Sequence, residues 1–204
     1  MKPLVLTLTL ALLSGMPQAL AGGNEPMTMS MPMSSDAMAT HMRTMMRPMM
    51  ADLERLSGRA FDRAFLSMMI PHHASAIDMS QAALPRLRDP QVRAWAQKII
   101  SDQRKEIAEM QAHLRTIGGA DMARQTTMQR SMGMMDMAQM LRTASSPDRM
   151  FLEMMIPHHG SANDMANLAL QKSQDPVVLD LAEQIMKTQA GEMHDFKDWL
   201  RTRS

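Results

Sequence analysis

The chain contains no cysteine. Disulfide staples, thiolate metal sites and a cysteine nucleophile are therefore excluded, and any fold must hold by packing. Aromatic residues make up only 3% of the 204 positions, so large rings cannot dominate a core. The net charge is +1, which gives no electrostatic case for nucleic acid or an anionic membrane as a partner. No apolar run reaches the roughly 18 to 20 residues that a transmembrane helix needs, so no membrane anchor is expected. A Gly-rich phosphate loop, a serine nucleophile elbow and a His-Glu-x-x-His motif are also missing. Binding is expected rather than catalysis, and no residue is assigned a catalytic role.

What the chain does have begins with an export pattern. Lys2, the apolar run from Leu4 to Leu13 and the small-residue ending Ala19-Leu20-Ala21 read as a secretory signal peptide over residues 1–21. Cleavage near Ala21 would leave a periplasmic or secreted protein in an oxidising compartment, where small domains often rely on disulfides. Residues 22–40 carry Met27, Met29, Met31 and Met33 among Pro and Ser without an apolar helical period, which predicts a flexible Met-rich arm. The remainder is long enough for one helical domain or two small ones.

Methionine is the compositional outlier at 29 residues, two of which (Met1 and Met16) fall in the signal segment. A core of flexible thioethers alone would be poorly specified, so something besides packing is expected to select them. An ungapped internal repeat with an offset of 86 positions gives the context. Residues 62–114 match residues 148–200, most closely where Phe65-Leu66-x-Met68-Met69-Ile70-Pro71-His72-His73-x-Ser75-Ala76-x-Asp78-Met79 recurs with Phe151 to Met165. A weaker match at an offset of 85 pairs Met49-Met50 and Leu56 with Met134-Met135 and Leu141, so each copy is expected to open with a short Met-rich helix. This divides the chain into a first repeat over 41–117 and a second over 118–204.

Each copy reads as a helical hairpin. The first helices are predicted from about Phe61 to Leu84 and from Asp148 to Leu170, kinked or broken at Pro71 and Pro157 just before the His pairs. Asp89-Pro90 and Asp175-Pro176 have the form of an N-cap followed by a first-turn proline. Val92, Ala96, Ile99, Gln103, Ile107, Met110 and Leu114 then recur at three- and four-residue steps, as a buried helix face should. Gln103 and Gln189 in that stripe are expected to make interhelical hydrogen bonds or to orient a His ring. The predicted fold is all-α, a four-helix bundle of two tandem hairpins.

The chemistry-bearing residues lie on the first helices. Met68 and His72 are four apart, Met79 is seven beyond His72, and Met69 and His73 form a second four-residue pair. The other copy offers Met154, Met155, His158, His159 and Met165. Thioether sulfur is soft and uncharged and favours Cu(I), while imidazole accepts copper in either oxidation state. Zinc fits less well, because its sites use Cys and His or the missing hydrolase motif, and di-iron bundles need Glu-x-x-His motifs that neither copy shows. Copper, preferentially Cu(I), is therefore the expected ion. Met49, Met50, Met110, His113, Met134, Met135, Met193 and His194 are further candidate ligands, and the Met-x-Met arm is a candidate exchangeable site. Asp78 and Asp164 repeat as well, but suit solvated or capping roles equally.

These residues resemble the signature Phe-x-x-x-Met-Ile-x-His-His-x-x-Ala-x-x-Met-Ala of a family of exported proteins with a ferritin-like helical domain formerly of unknown function, to which the CopM-like periplasmic copper-binding proteins belong. Phe65, Met69, Ile70, His72, His73, Ala76 and Met79 match in the first copy, and Phe151, Met155, Ile156, His158, His159, Ala162, Met165 and Ala166 in the second. Ser80 replaces the final Ala of the first copy, and Ala74 and Gly160 also depart from the usual residue. The resemblance spans about residues 45–201. It implies a ferritin-like helical bundle acting in copper trafficking, buffering or resistance, with copper ions and a copper exporter or another periplasmic copper protein as partners. Two other readings remain open at this point: a ferritin-like metal-dependent oxidase, and a metal-free Met-rich surface for protein partners.

Overall fold

The computed structural model describes residues 35–134 and 136–203. The signal segment, the Met27 to Met33 stretch and Met135 lie outside them. Among the described residues seven helices follow one another: α1 (Ser35–Glu54), α2 (Gly58–Ala83), α3 (Pro90–Thr116), α4 (Met122–Gly133), α5 (Met137–Thr143), α6 (Pro147–Lys172) and α7 (Pro176–Thr202). No strand occurs among the described residues.

Local chemistry sets most helix ends. The Asp89 carboxylate accepts from the backbone N–H groups of Gln91 and Val92, and Asp175 does the same for Val177 and Val178, with Pro90 and Pro176 in the first turns. Asp121 and Asp136 cap α4 and α5 in the same way. α3 ends as Gly118 and Gly119 take φ of 103° and 82°, and the Gly119 N–H reaches the Leu114 carbonyl at 2.7 Å. Only glycine adopts two successive left-handed residues at little cost, so the chain leaves α3 sharply here.

α2 pairs with α3 and α6 with α7 as hairpins, and α2 also packs on α6 at the centre of the bundle. α1 lies on α6, while α4 and α5 lie on α2. Each Met-rich lead-in thus covers the other copy's first helix. α2 and α6 run unbroken through Pro71 and Pro157, so the predicted alternative of two shorter helices does not arise. Neighbouring helices bury both segments and hold the helix together where the proline withholds a donor.

Two sequence expectations need correction. The helix α1 takes in residues 35–40, assigned above to the flexible arm, because Met38 is buried and continues the stripe Met42, Met46, Met49 and Leu53. The offset-85 match of the lead-ins also fails in three dimensions. Met49 is buried whereas Met134 is 80% exposed, since α4 stops at Gly133 and Asp136 caps a new helix. The buried pairs are Met42 with Met128 and Met46 with Met132, on the same offset of 86 as the rest of the repeat.

Reciprocal polar ties join the two copies. Asp148 on α6 accepts from the backbone N–H groups of Arg88 and Asp89, both at 3.0 Å, at the start of α3. Its repeat counterpart Asp62 accepts from the Ser173 hydroxyl at 2.6 Å, which in turn accepts from the Asp175 N–H before α7. At the opposite helix ends His113 bonds Asp175 at 2.8 Å, and Arg203 pairs with Asp89.

Candidate metal centre

Four imidazoles form the centre of the bundle, and all four side chains are fully buried. The His72 and His158 rings meet across the α2–α6 contact with centroids 4.0 Å apart. His72 Nε2 lies 2.7 Å from the Ser161 hydroxyl, and His158 Nε2 lies 2.8 Å from the Ser75 hydroxyl, so each copy's serine completes the other copy's ring. The outer rings stay within their own hairpins: His73 Nε2 meets Glu106 at 2.8 Å and His159 Nε2 meets Glu192 at 2.9 Å.

These partners fix the ring orientation. The Ser161 hydroxyl donates to the His158 carbonyl at 2.8 Å, so it accepts from His72 Nε2–H. Ser75 directs its hydroxyl to the Met132 sulfur at 3.6 Å and accepts from His158 in the same manner. Glu106 and Glu192, as carboxylates, also accept from Nε2–H. The Nδ1 atoms of all four rings are consequently the free lone-pair side, and each is buried without a hydrogen-bond partner. Buried polar atoms are ordinarily satisfied, so the four unpartnered Nδ1 atoms make these rings the candidate ligands. Burial, followed by the neighbouring imidazoles, pulls the pKa of His72 and His158 well below the usual value. Burial also lowers His159, with Glu192 opposing the shift. Rings held neutral can coordinate a metal without first losing a proton.

The thioethers stand one turn back. Met68, Met69, Met154 and Met155 lie four residues before His72, His73, His158 and His159 respectively, on the same helix faces. All four are buried, as are Met79 and Met165. Met79 lines a surface cleft with Ser75, Asp78 and Met132, and the equivalent cleft on the other copy is lined by Ser161, Asp164, Met42, Met46 and Met50. Among the described residues no three His, Asp or Glu side chains converge to hold a metal ion. Sulfur with neutral nitrogen is the donor chemistry that fits a soft ion such as Cu(I).

The additional candidates scatter. Met49 belongs to the α1 stripe, Met50 is half-buried beside the second cleft, and Met110 is buried on α3. His113 is bound on both nitrogens, by Asp175 and more weakly by Thr116, at the end of α3. Met134 faces solvent, Met193 is half-buried, and the His194 side chain is 83% exposed beside Asp195. Met135 lies outside the described residues. Gln103 and Gln189 do not orient the rings, and their amide oxygens are buried without partners. That task falls to Glu106 and Glu192, one turn further along the same stripes. Their repetition inside an apolar face was the available signal, as it was for Ser75 and Ser161 inside the matched motif. A carboxylate thus meets one His of each pair, although neither copy shows a Glu-x-x-His motif.

A model of the Domain of unknown function (DUF305) matches residues 11–114 and again residues 115–200. The solved structure of CopM in the Cu(I)-bound form is 32% identical, covers 69% of this chain and 96% of its own, and has a TM-score of 0.58. CopM in the Cu(II)-bound form is likewise 32% identical, over 70% of this chain and 97% of its own, with a TM-score of 0.60. A DUF305 fragment from Deinococcus radiodurans is 26% identical over 69% of this chain and 95% of its own, with a TM-score of 0.56. An uncharacterized protein of Acanthamoeba polyphaga mimivirus is 43% identical over 53 residues, 26% of this chain, which spans only 35% of that relative's length. No helix among the described residues is long and apolar enough to cross a membrane.

Proposed function

The chain belongs to the DUF305 family, and we propose that it is an exported copper-binding protein that holds Cu(I) on Met and His side chains in the bundle core. The observation that carries this reading is the set of four buried, unpartnered Nδ1 atoms, each one helical turn from a buried thioether. Similarity to CopM, solved with Cu(I), Cu(II) and Ag bound, supports the same ion class. The signal pattern places the protein in the periplasm or outside the cell, where thioethers have the further merit that they form no disulfides. Its role is to buffer or pass on copper, with a copper exporter or another periplasmic copper protein as the exchange partner.

The test is competition for Cu(I) against a chromogenic Cu(I) chelator. The wild-type protein should retain copper, and a variant with Met68, Met69, Met154 and Met155 all replaced by Leu should lose at least tenfold in affinity. Met-to-Leu exchange nearly conserves volume, so this variant should still give a cooperative melt. Equal copper retention by a folded quadruple variant would sink the proposal.

A further inference from the structure

The two hairpins carry the same His–Glu pair, but what stands behind each carboxylate differs. Glu106, only 2% exposed, accepts from His73 Nε2 through one oxygen and from the Gln184 amide, 3.2 Å away, through the other. Glu192 accepts from His159 through one oxygen and, through the other, from the half-exposed Lys98 ammonium 3.1 Å away, which also pairs with Asp102 at 2.6 Å. Lys98 and Gln184 occupy the same repeat position, so an exchange between copies gives one buried carboxylate a cation and the other only a neutral amide. A buried anion without a compensating charge is costly. A second difference lies one turn further along α3 and α7. Phe196 places its ring 6.0 Å from the His159 ring and stacks edge-on to Trp95, whereas its repeat counterpart is the buried thioether of Met110.

We propose that the two hairpins are unequal toward a soft monovalent cation: the α2–α3 half is the cation-binding half, and the α6–α7 half is its closed counterpart. In the first, the unpartnered His73 Nδ1 and Met69 are the soft donors, Met110 takes the repeat position from which Phe196 meets His159, and Glu106 behind His73 is the balancing negative charge. In the second, Lys98 gives Glu192 a cation that Glu106 lacks, and the Phe196 ring stands where the first copy has a thioether. This inference rests on the copper-binding reading but concerns only which half receives the ion.

Ag(I) titration of protein carrying ¹⁵N-labelled histidine, followed by NMR, tests it. The His73 Nδ1 resonance should shift with the first equivalent in the core, while that of His159 should remain in place. Glu106→Gln should weaken Ag(I) binding at least tenfold, Glu192→Gln should change it less than twofold, and the double variant Lys98→Gln with Phe196→Met should make His159 respond as well. Circular dichroism melts establish that each variant is folded. If His73 and His159 shift together, if only His159 shifts, or if Ag(I) binds without moving either, the asymmetry is overturned while the copper-binding reading stands or falls on the chelator competition. If the protein binds no Ag(I) or Cu(I), both are lost.

Discussion

The central helices α2 and α6 and the Met-rich helices that cover them use similar residues in opposite ways. At the centre, methionine accompanies histidine, and every ring is tied through one nitrogen to a named partner on another helix or the other copy. In α1 and α4 the buried methionines Met42, Met46, Met128 and Met132 mainly fill space, and only Met132 receives a hydrogen bond, from Ser75. Burial alone therefore does not separate a candidate ligand from a filler. What separates them is whether the neighbouring polar atoms are left unsatisfied, as the four Nδ1 atoms are.

The sharpest way to break this contrast is acid. His72 and His158 have pKa values well below the ordinary histidine value, so the unfolded chain takes up protons near pH 6.5 that the folded chain refuses. Stability should thus be intact above pH 7 and fall as the pH drops. The limiting slope is about 1.4 kcal/mol per pH unit for each ring, roughly 3 for the two. Urea melts between pH 7.5 and 5.5 should show this fall, and a folded His72→Gln, His158→Gln variant should have a flatter profile. In the cover, Met128→Ala should cost about 2–5 kcal/mol by leaving a cavity, with no comparable pH dependence. Ser161→Ala removes only an oxygen, yet it should cost about 1–3 kcal/mol because His72 Nε2–H and the His158 carbonyl both lose a partner. Met42→Leu, which keeps volume in the cover, should cost less than about 1.5 kcal/mol. A Ser161→Ala variant as stable as Met42→Leu would erase the distinction between the two regions.

The four long helices were legible in the sequence because their start signals and buried faces coincide. Asp89-Pro90 and Asp175-Pro176 cap α3 and α7 as expected, and Val92, Ala96 and Ile99 face inward. The lead-in helices were misregistered by one residue because doublets of methionine match themselves at two offsets, and hydrophobicity does not rank one against the other. Only the break between α4 and α5 decides it. The residues that hold the rings were visible as repeated positions, but periodicity names a face and not the atom opposite. Gln103 and Glu106 lie on the same inward stripe, and only the spatial placement of His73 shows that the carboxylate meets the ring.

The serine exchange across α2 and α6 has a consequence for the chain as a whole. His72 uses Ser161 while His158 uses Ser75, which is the pattern of an isologous dimer contact, in which each half gives the other the same group that it receives. Here both halves belong to one polypeptide, so the contact forms at the high effective concentration of a tether instead of at the mercy of dilution. One hairpin alone would expose a ring with no hydroxyl to receive its proton and a hydroxyl with no ring to receive. It could recover both by meeting a second copy of itself face to face.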